Sequence, residues 1–386
     1  MVDFNNTEIA FKQKSTAELS TSYWLFKIIG WNWLIKIGPT LLKIFLPLKF
    51  PIPIIKATIF KQFCGGESID DCNKTINNLG AQNVKTILDY SVEGIEGENT
   101  FEANLKEALK GIKMAQINPL IPFCVFKVTG FGRFALLQKI NEKKPLTELE
   151  EQEFNRVKSR VNIICEQAHQ ANTPIFIDAE ETWIQNVIDD LALEMMKKFN
   201  KESTIVFNTS QMYRWDRLDY LKLLVETAKK EHFFIGIKLV RGAYIEKERD
   251  RAVKFGYKDP MQKTKENTDN DFNAALKYCI ENIDVISLCC GSHNERSALY
   301  LTELMTKHNI SINDKRIYFA QLLGMSDHIS MNLSNANYNV AKYVPYGPVK
   351  EVMPYLIRRA EENTSVAGQT GRELSLILKE KKRRNQ

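Results

Sequence analysis

Residues 233–244, FFIGIKLVRGAY, decide the fold of this chain. The run is apolar at almost every position, is interrupted by Lys238 and ends in Arg241, Gly242 and Ala243. A strand with one solvent-exposed face alternates apolar and polar residues. A nearly continuous apolar strand is buried on both faces, as in parallel sheets. The stretch therefore predicts a buried parallel strand whose carboxyl end carries the first polar groups.

Similar runs recur along the chain and alternate with segments of helical period. The strand-like runs are 86–92, 120–128, 174–179, 204–209, 284–290, 316–322 and 339–344, and the helix-like segments include 105–115, 148–170, 218–230, 269–282 and 295–308. Eight strand–helix units predict an α/β fold of the (β/α)8 barrel type, whose core needs about 250 residues. A doubly wound parallel sheet is the alternative, because a strand is easily gained or lost when strands are counted from sequence.

The composition excludes several classes of protein. With 44% hydrophobic and 26% charged residues the chain is globular, not disordered. The formal net charge of +6 is unevenly distributed: residues 23–63 hold six lysines and no acid, and residues 379–386 carry +4. The rest of the chain therefore sums to −4, which argues against a protein that binds nucleic acid through a basic face. Seven cysteines without a C-x-x-C pair indicate a reducing compartment, and five histidines without metal-ligand spacing predict no metal site.

Residues 23–63 raise the question of a membrane. Their longest charge-free run is eight residues, Ile28 to Ile35, against the roughly 18 of a spanning helix, and prolines interrupt the segment. Lysine mixed with tryptophan and aliphatic residues suits an interfacial helix on anionic lipid, and an amphipathic helix packed on the neighbouring domain is the alternative. The first 22 residues resemble neither a signal nor a transit peptide, so we expect a cytoplasmic protein.

Polar residues gather where the predicted strands end. In a barrel, functional side chains lie at the carboxyl ends of the strands and in the loops that follow. These positions hold Glu93, Lys127, Asp178, Gln211, the run Lys238 to Tyr244, His293 with Asn294, the run Leu322 to Asp327, and Tyr343 to Gly347. The sequence therefore predicts a site at this end of the barrel.

Two motifs suggest specific chemistry. Tyr355, Arg358, Arg359 and Glu362 form one stripe of the last predicted barrel helix. Paired arginines can bind a carboxylate in bidentate fashion, and a solvated, ion-paired face is the alternative.

Lys238 has several open interpretations. A lysine inside an apolar strand needs a partner, so it forms a structural ion pair, contacts a ligand or acts as an imine-forming base in a barrel lyase. The small residues Gly242 and Ala243 would let a planar ligand approach the backbone.

The sequence resembles the proline dehydrogenase family from about Asp89 to Asn363. The resemblance rests on KLVRGAYIEKER (238–249), FAQLLGMSD (319–327) and YVPYGPVKEVMPYLIRRAEEN (343–363), in this order. It implies a distorted, TIM-like (β/α)8 barrel that binds FAD, with the helix after the last strand over the barrel mouth. We expect a helical, partly basic and amphipathic arm over residues 1–80, the barrel over 81–370 and a basic tail over 371–386.

The resemblance also implies roles for individual residues. Lys127, Asp178, Arg358 and Arg359 would be catalytic, with the two arginines clamping the proline carboxylate. The substrate site would comprise these four with Glu93, Tyr244, Leu322, Tyr343, Tyr355 and Glu362. The FAD contacts would be Gln211, Lys238, Val240, Arg241, Gly242, Ala243, Thr264, Lys265, His293 and Asn294.

The implied reaction is oxidation of L-proline to 1-pyrroline-5-carboxylate by hydride transfer to FAD, with electrons passed on to a membrane quinone. Such a reaction places the chain peripherally on the cytoplasmic membrane, or on the mitochondrial inner membrane in a eukaryote, with residues 23–63 as the contact. Hydroxyproline is the rival substrate, and Tyr343 would crowd its ring hydroxyl. A lyase that uses Lys238, or a barrel that only binds proline, are the competing functions.

Overall fold

The computed structural model describes residues 2–29, 52–92, 94–365 and 369–385. Its strands are short and largely buried, and the ladders that join them are parallel. They form a closed barrel in the order β1 to β8. This confirms the (β/α)8 fold. The strands are β1 (Val84–Tyr90), β2 (Phe123–Phe126), β3 (Ile175–Ile177), β4 (Val206–Gln211), β5 (Ile235–Val240), β6 (Ile286–Gly291), β7 (Ile317–Leu322) and β8 (Val340–Tyr346).

Helices precede, separate and follow the strands. Before β1 lie α1 (Thr7–Ala10), α2 (Thr16–Ile29), α3 (Ile52–Ile55), a π-helical segment (Lys56–Phe60), α4 (Lys61–Phe63) and α5 (Asn73–Gly80). Between the strands lie α6 (Glu98–Ile117), a 3-10 turn (Val128–Gly130), α7 (Phe134–Asn141), α8 (Glu148–Gln170), α9 (Thr182–Phe199), α10 (Arg217–Glu231), α11 (Ile245–Phe255), α12 (Lys265–Glu281), α13 (Glu295–Lys307) and α14 (Asp327–Asn335). After β8 follow α15 (Val349–Ser365) and α16 (Gln369–Arg384).

The chain divides into two compact units. The first comprises residues 1–94 and 321–386, and the second comprises residues 95–320. The first unit therefore joins the two ends of the sequence, and β1 pairs with β8 within it.

The second unit contains an aromatic floor on one face of the sheet. Phe123 of β2 stacks on Phe176 of β3, with ring centroids 4.6 Å apart, and also contacts Phe207 and Tyr318 edge to face. Gly236 of β5 makes room for this layer, because a Cβ there would lie 2.5 Å from the Phe207 ring. The floor fills the sheet interior with close-packed rings and leaves the strand ends for polar residues.

The first unit has a hydrophobic cluster shared by its amino- and carboxyl-terminal helices. Phe26 of α2, Phe63 of α4, Tyr355 of α15 and Leu376 of α16 are buried in it. The segment 371–386, expected as a basic tail, lies largely in helix α16, and its Arg384 donates hydrogen bonds to the carbonyl oxygens of Phe11 and Lys14. These contacts dock the carboxyl-terminal helix on the amino-terminal arm.

A buried charge cluster accompanies the hydrophobic one. The Asp327 carboxylate forms ion pairs with Lys14, at 2.9 Å, and with Lys342 of β8, at 3.0 Å. Lys342 is fully buried. Burial alone would raise the pKa of Asp327, but the two ammonium groups hold it well below its usual range. The charges thus compensate one another inside the unit.

Candidate active site

Side chains alternate between the two faces of a strand, and this alternation places four of the sequence-predicted residues on the interior face of the sheet. They are Lys127, Asp178, Gln211 and Lys238. On β4, Asn208 donates hydrogen bonds to Asp189 of α9 and to Tyr220 of α10, so the even positions face the helices. Phe207 and Gln211 consequently face the interior, since successive side chains of a strand alternate. The same alternation, counted from the floor residues, places Lys127, Asp178 and Lys238 on this interior face.

Asp178 and Lys238 form a buried ion pair. The Lys238 Nζ contacts Asp178 Oδ1 and lies 5.1 Å from the centroid of the Phe176 ring in the floor. The side chains are only 15% and 5% exposed. Because β2 and β3 pair Phe126 with Ile177, Lys127 and Asp178 follow at adjacent strand ends, as the sequence predicted. The pair forms the first charged layer above the aromatic floor.

Glu180 lies beside this layer and was not predicted from the sequence. Its carboxylate accepts hydrogen bonds from the backbone nitrogen of Thr129, at 3.1 Å, and from the Thr129 hydroxyl. Its carbonyl oxygen accepts a hydrogen bond of 2.7 Å from Nε2 of Gln211. Burial raises the pKa of Glu180 to about 7, against the lowering effect of Thr129 and Lys127. The only sequence signal was an acid directly after an apolar strand.

The backbone after β5 is open to a ligand. Gly242 and Ala243 are exposed, and Gly242 has a φ of +126°. A Cβ on Gly242 would lie 2.6 Å from the ring of Tyr213, so only glycine fits there. Tyr213 is itself buried, and its hydroxyl lacks a hydrogen-bond partner among the described residues. Tyr244 follows directly at the N-cap position of α11.

Arg241 fastens the end of β5 to the starts of two helices. Its guanidinium donates to Asp269 of α12 at 2.6 Å, to Ser297 of α13 at 2.9 Å and to Ser292 after β6 at 2.9 Å. It also stacks over Phe272. Arg241 therefore has a structural role, and it brings positive charge to a point where two helix amino termini converge.

Those helix starts contain the remaining predicted residues of the second unit. Thr264 caps α12 by accepting from the Asn267 backbone nitrogen, and Lys265 pairs with Asp269 at 2.8 Å. Asn294 caps α13 by accepting from the Ser297 backbone nitrogen at 3.1 Å, and His293 precedes it, half-buried. Val240 ends β5 and lies 2.9 Å from where a Cβ on Gly291 would be. Exposed backbone N–H groups at helix starts favour anionic ligands.

The first unit holds the other predicted residues. The backbone nitrogen of Leu323 donates to the carbonyl oxygen of Tyr343 at 2.8 Å, which joins the end of β7 to β8. Leu322 and Tyr355 pack in the same hydrophobic cluster. Glu93 lies outside the described residues, as do the side chains of Arg358, Arg359 and Glu362 on α15. The predicted arginine clamp and its place over the barrel mouth therefore stay predictions.

The arrangement defines an enzyme of the (β/α)8 class. The buried Asp178–Lys238 pair belongs to β3 and β5, and the half-buried Lys127 follows β2, at the end of the barrel where enzymes of this fold carry their active sites. Among the described residues no group of three or more His, Cys, Asp or Glu could hold a metal ion. The site has the exposed backbone of Gly242 and Ala243 next to the hydrogen-bonded guanidinium group of Arg241.

Comparison with known proteins gives the family. A family model described as proline dehydrogenase matches residues 72–372. The chain is 31% identical to proline dehydrogenase 1, mitochondrial, of Dictyostelium discoideum, over 98% of this chain and 74% of that protein. It is 42% identical to the Homo sapiens enzyme of the same name, over 62% of this chain and 40% of that protein. The chain belongs to the proline dehydrogenase family and is an oxidoreductase of that family.

Two further similarities extend the comparison. The carbapenem antibiotics biosynthesis protein CarD of Pectobacterium carotovorum is 34% identical, over 83% of each chain. A crystal structure of proline utilization A from Bdellovibrio bacteriovorus, inactivated by N-propargylglycine, has a TM-score of 0.73 at 20% identity. The match covers 83% of this chain and 35% of that much longer one, and it shows a shared fold.

Proposed function

We propose that this proline dehydrogenase oxidises L-proline to 1-pyrroline-5-carboxylate with FAD as its electron acceptor. The observation that carries the proposal is the buried Asp178–Lys238 pair next to the open backbone at Gly242 and Ala243. A flat, anionic cofactor needs an uncrowded face for its ring system and fixed positive charge for its phosphates. Both features occur together at the end of β5.

The residues present fit FAD. Gly242 and Ala243 are exposed, and Gly242 has no side chain of its own, so the backbone there permits close approach. The amino termini of α12 and α13 meet at Arg241, and Thr264, Lys265 and Asn294 lie at those starts, where N–H groups and cations suit a pyrophosphate. Gln211 is held by the Glu180 carbonyl, and its amide would present a fixed polar group to the ring. When bound, FAD supplies the two-electron acceptor that carbon–nitrogen oxidation requires.

The protein's part in the reaction is to bind, orient and deprotonate the substrate. Carried over from the family resemblance, Arg358 and Arg359 would clamp the proline carboxylate, and Tyr244, Tyr343, Tyr355 and Leu322 would enclose its ring. The amine must be neutral before a hydride leaves the adjacent carbon. A site with several cations favours loss of the ammonium proton, and fixed orientation lowers the barrier without a covalent intermediate.

The competing lyase requires a free amine at Lys238. An ammonium group paired with a buried carboxylate has no lone pair with which to attack a carbonyl, so the contact with Asp178 disfavours this function. Hydroxyproline remains the rival substrate, and the buried Tyr343 is the residue that we expect to reject it.

The test is a visible absorption spectrum of the purified protein, recorded before and after anaerobic addition of L-proline. We expect flavin bands that bleach with L-proline and persist with hydroxyproline. Bands that persist with both would contradict the substrate. A protein that cannot take up FAD would contradict the cofactor and return the Lys238 lyase to consideration, to be tested by borohydride trapping.

We further propose that the chain passes its electrons to a quinone while attached peripherally to an anionic membrane. None of the described helices is long and apolar enough to cross a bilayer. Helix α2 buries Leu19 and Phe26, whereas Trp24 is 56% exposed and Lys27 lies 4.8 Å over its ring. Tryptophan with lysine on an outer helix face suits an interfacial contact with lipid. Residues 30–51 of the segment predicted to bind lipid lie outside the described residues.

A substitution on α2 tests the membrane proposal better than deletion of 23–63, because Phe26 and Phe63 belong to the core. We expect W24S/K27E to lower sedimentation with phosphatidylglycerol vesicles and to leave proline oxidation with a soluble dye unchanged. The matched control is W215S/K258E, which removes a tryptophan that is 47% exposed and lies under a lysine in the second unit. A contact through α2 would be contradicted if both variants lost vesicle binding to the same extent, or if neither variant lost it.

A further inference from the structure

Glu180 stands out among the buried groups to which the mechanism assigns no role. It is 4% exposed and lies two residues beyond Asp178, in the loop between β3 and α9. A buried carboxyl group is costly unless hydrogen bonds satisfy it. The carboxylate and the carbonyl oxygen of Glu180 accept hydrogen bonds from segments that contain or adjoin predicted site residues.

The carboxylate and the backbone of Glu180 together hold the ends of two strands and one helix. The carboxylate holds the backbone nitrogen and hydroxyl of Thr129, in the turn that directly follows Lys127. The carbonyl oxygen holds Nε2 of Gln211 at the end of β4. The backbone nitrogen donates to Oε1 of Gln185 at 2.8 Å in α9, so Glu180 is itself fixed to the helix behind it.

The hydrogen bond between Glu180 and Gln185 belongs to a larger polar network in the second unit. Gln185 donates from Nε2 to Asp189 at 2.8 Å, and Asp189 pairs with Arg217 of α10 at 2.7 Å. Gln185, Asp189 and Arg217 are all buried. Glu180 thus connects a rigid polar network between helices to the loops at the strand ends.

We propose that Glu180 is a positioning residue, whose carboxylate fixes the turn after β2 and thereby the approach of Lys127 to the substrate. This inference rests on the proposed function, since it takes Lys127 to contact proline. The turn is a single 3-10 turn of three residues, in which Asn104 holds the carbonyl oxygen of Gly130 at 2.8 Å and Glu180 holds Thr129, the nearer of the two to Lys127. An error of about 1 Å in the placement of a substrate-contacting group can lower a rate about 100-fold.

The variant E180Q removes the charge of the Glu180 side chain and keeps its capacity to form hydrogen bonds with Thr129. In E180Q the amide oxygen still accepts from the Thr129 nitrogen, and the amide nitrogen can donate to the Thr129 hydroxyl. In E180A both bonds are lost. The charged groups that act on the Glu180 carboxyl are Lys127 after β2 and the adjacent Glu181, and E180Q removes its titration against both.

The experiment compares steady-state kinetics of the FAD-loaded variants with L-proline over a range of pH. We expect E180A to lower kcat/KM about 10- to 100-fold while the FAD content stays at the wild-type level. We expect E180Q to recover kcat/KM to within about threefold of the wild type. T129V, which loses only the hydroxyl, should lie between them, about three- to tenfold below the wild type.

The matched control is E181A, a neighbouring buried glutamate that pairs with Lys247 of α11 and not with the turn after β2. It should lower the melting temperature and leave kcat/KM close to the wild type. E180Q as inactive as E180A, or a fully active E180A, would overturn the proposal. Should E180A not fold, T129V decides, and wild-type kinetics in T129V would overturn it. If the wild type itself failed to oxidise proline, the proposed function would be wrong instead.

Discussion

Gly242 lies against the ring of Tyr213 so closely that a Cβ would approach its carbons to 2.6 Å. The glycine also has a positive φ of +126°, which L-residues with a side chain rarely adopt. Steric crowding and backbone strain therefore coincide at the point where the exposed backbone after β5 would meet the cofactor.

G242A should destabilise the protein and weaken FAD binding. The control is G256A: Gly256 also has a positive φ, of +67°, but nothing lies within 4 Å of a Cβ there. We expect G256A to cost about 1–2 kcal/mol from strain alone. G242A should cost about 1–3 kcal/mol more, because the Tyr213 ring has to move. Urea unfolding gives both values, and equal costs would show that Tyr213 yields freely.

Replacing one member of the Asp178–Lys238 pair should lower the free energy of unfolding more than replacing both. D178N or K238M alone leaves one buried charge without its partner, which typically costs about 3–5 kcal/mol. The double variant D178N/K238M should be more stable than the sum of the single effects predicts. A double-mutant cycle from denaturant unfolding measures the difference, and additive effects would mean that the two charges are not coupled.

Glu180 should make the stability depend on pH around neutrality. Its folded pKa of about 7 lies above its ordinary value of 4.5, so the folded state favours the protonated form. The corresponding stabilisation is present below pH 4.5 and is lost as the pH rises through 7. It amounts to at most about 3 kcal/mol. The free energy of unfolding should therefore fall between pH 5 and 8 more steeply in the wild type than in E180Q. Parallel curves would contradict the raised pKa.

Asp327 should show the opposite dependence. Its pKa is lowered by Lys14 and Lys342, so its contribution is present at neutral pH and decreases as the pH falls below the ordinary range of a carboxyl group. D327N should cost about 3–5 kcal/mol at pH 7, because it removes the carboxylate that forms an ion pair with the fully buried Lys342. K14M should cost less, since Lys342 still pairs with Asp327. Unfolding at pH 7 checks the order, and a larger effect of K14M would contradict it.

The strands and some helices could be predicted because their signals are local. Helix α8 has the limits that the sequence indicated, since Thr147 and Glu150 form a capping box that marks its start. Helix α6 begins at Glu98, well before the predicted 105, because its N-cap is Gly97, which has no side chain to mark a start. Helix α16 was expected only as a basic tail, since its partners on the amino-terminal arm are far away in sequence.

The candidate site was predictable to the extent that it follows the alternation of the strands. Asp178 and Lys238 could be expected at the same end of the barrel, because a barrel collects the carboxyl ends of all its strands. Glu180 and Tyr213 could not be singled out. Their significance depends on Thr129 and Gly242, which only the folded chain brings next to them.

The pairing of β1 with β8 has a consequence for biosynthesis. Val84 pairs with Val340, so β1, which is synthesised before the other strands of the barrel, has one hydrogen-bonding edge that is satisfied only after β8 has been made. Until then its apolar surface and unpaired edge are open to other chains. We therefore expect nascent copies of this protein to benefit from a holding chaperone during translation, and a circular permutant that begins between β7 and β8 would bring the two strands closer along the chain, to about half their present separation in sequence plus the new linker.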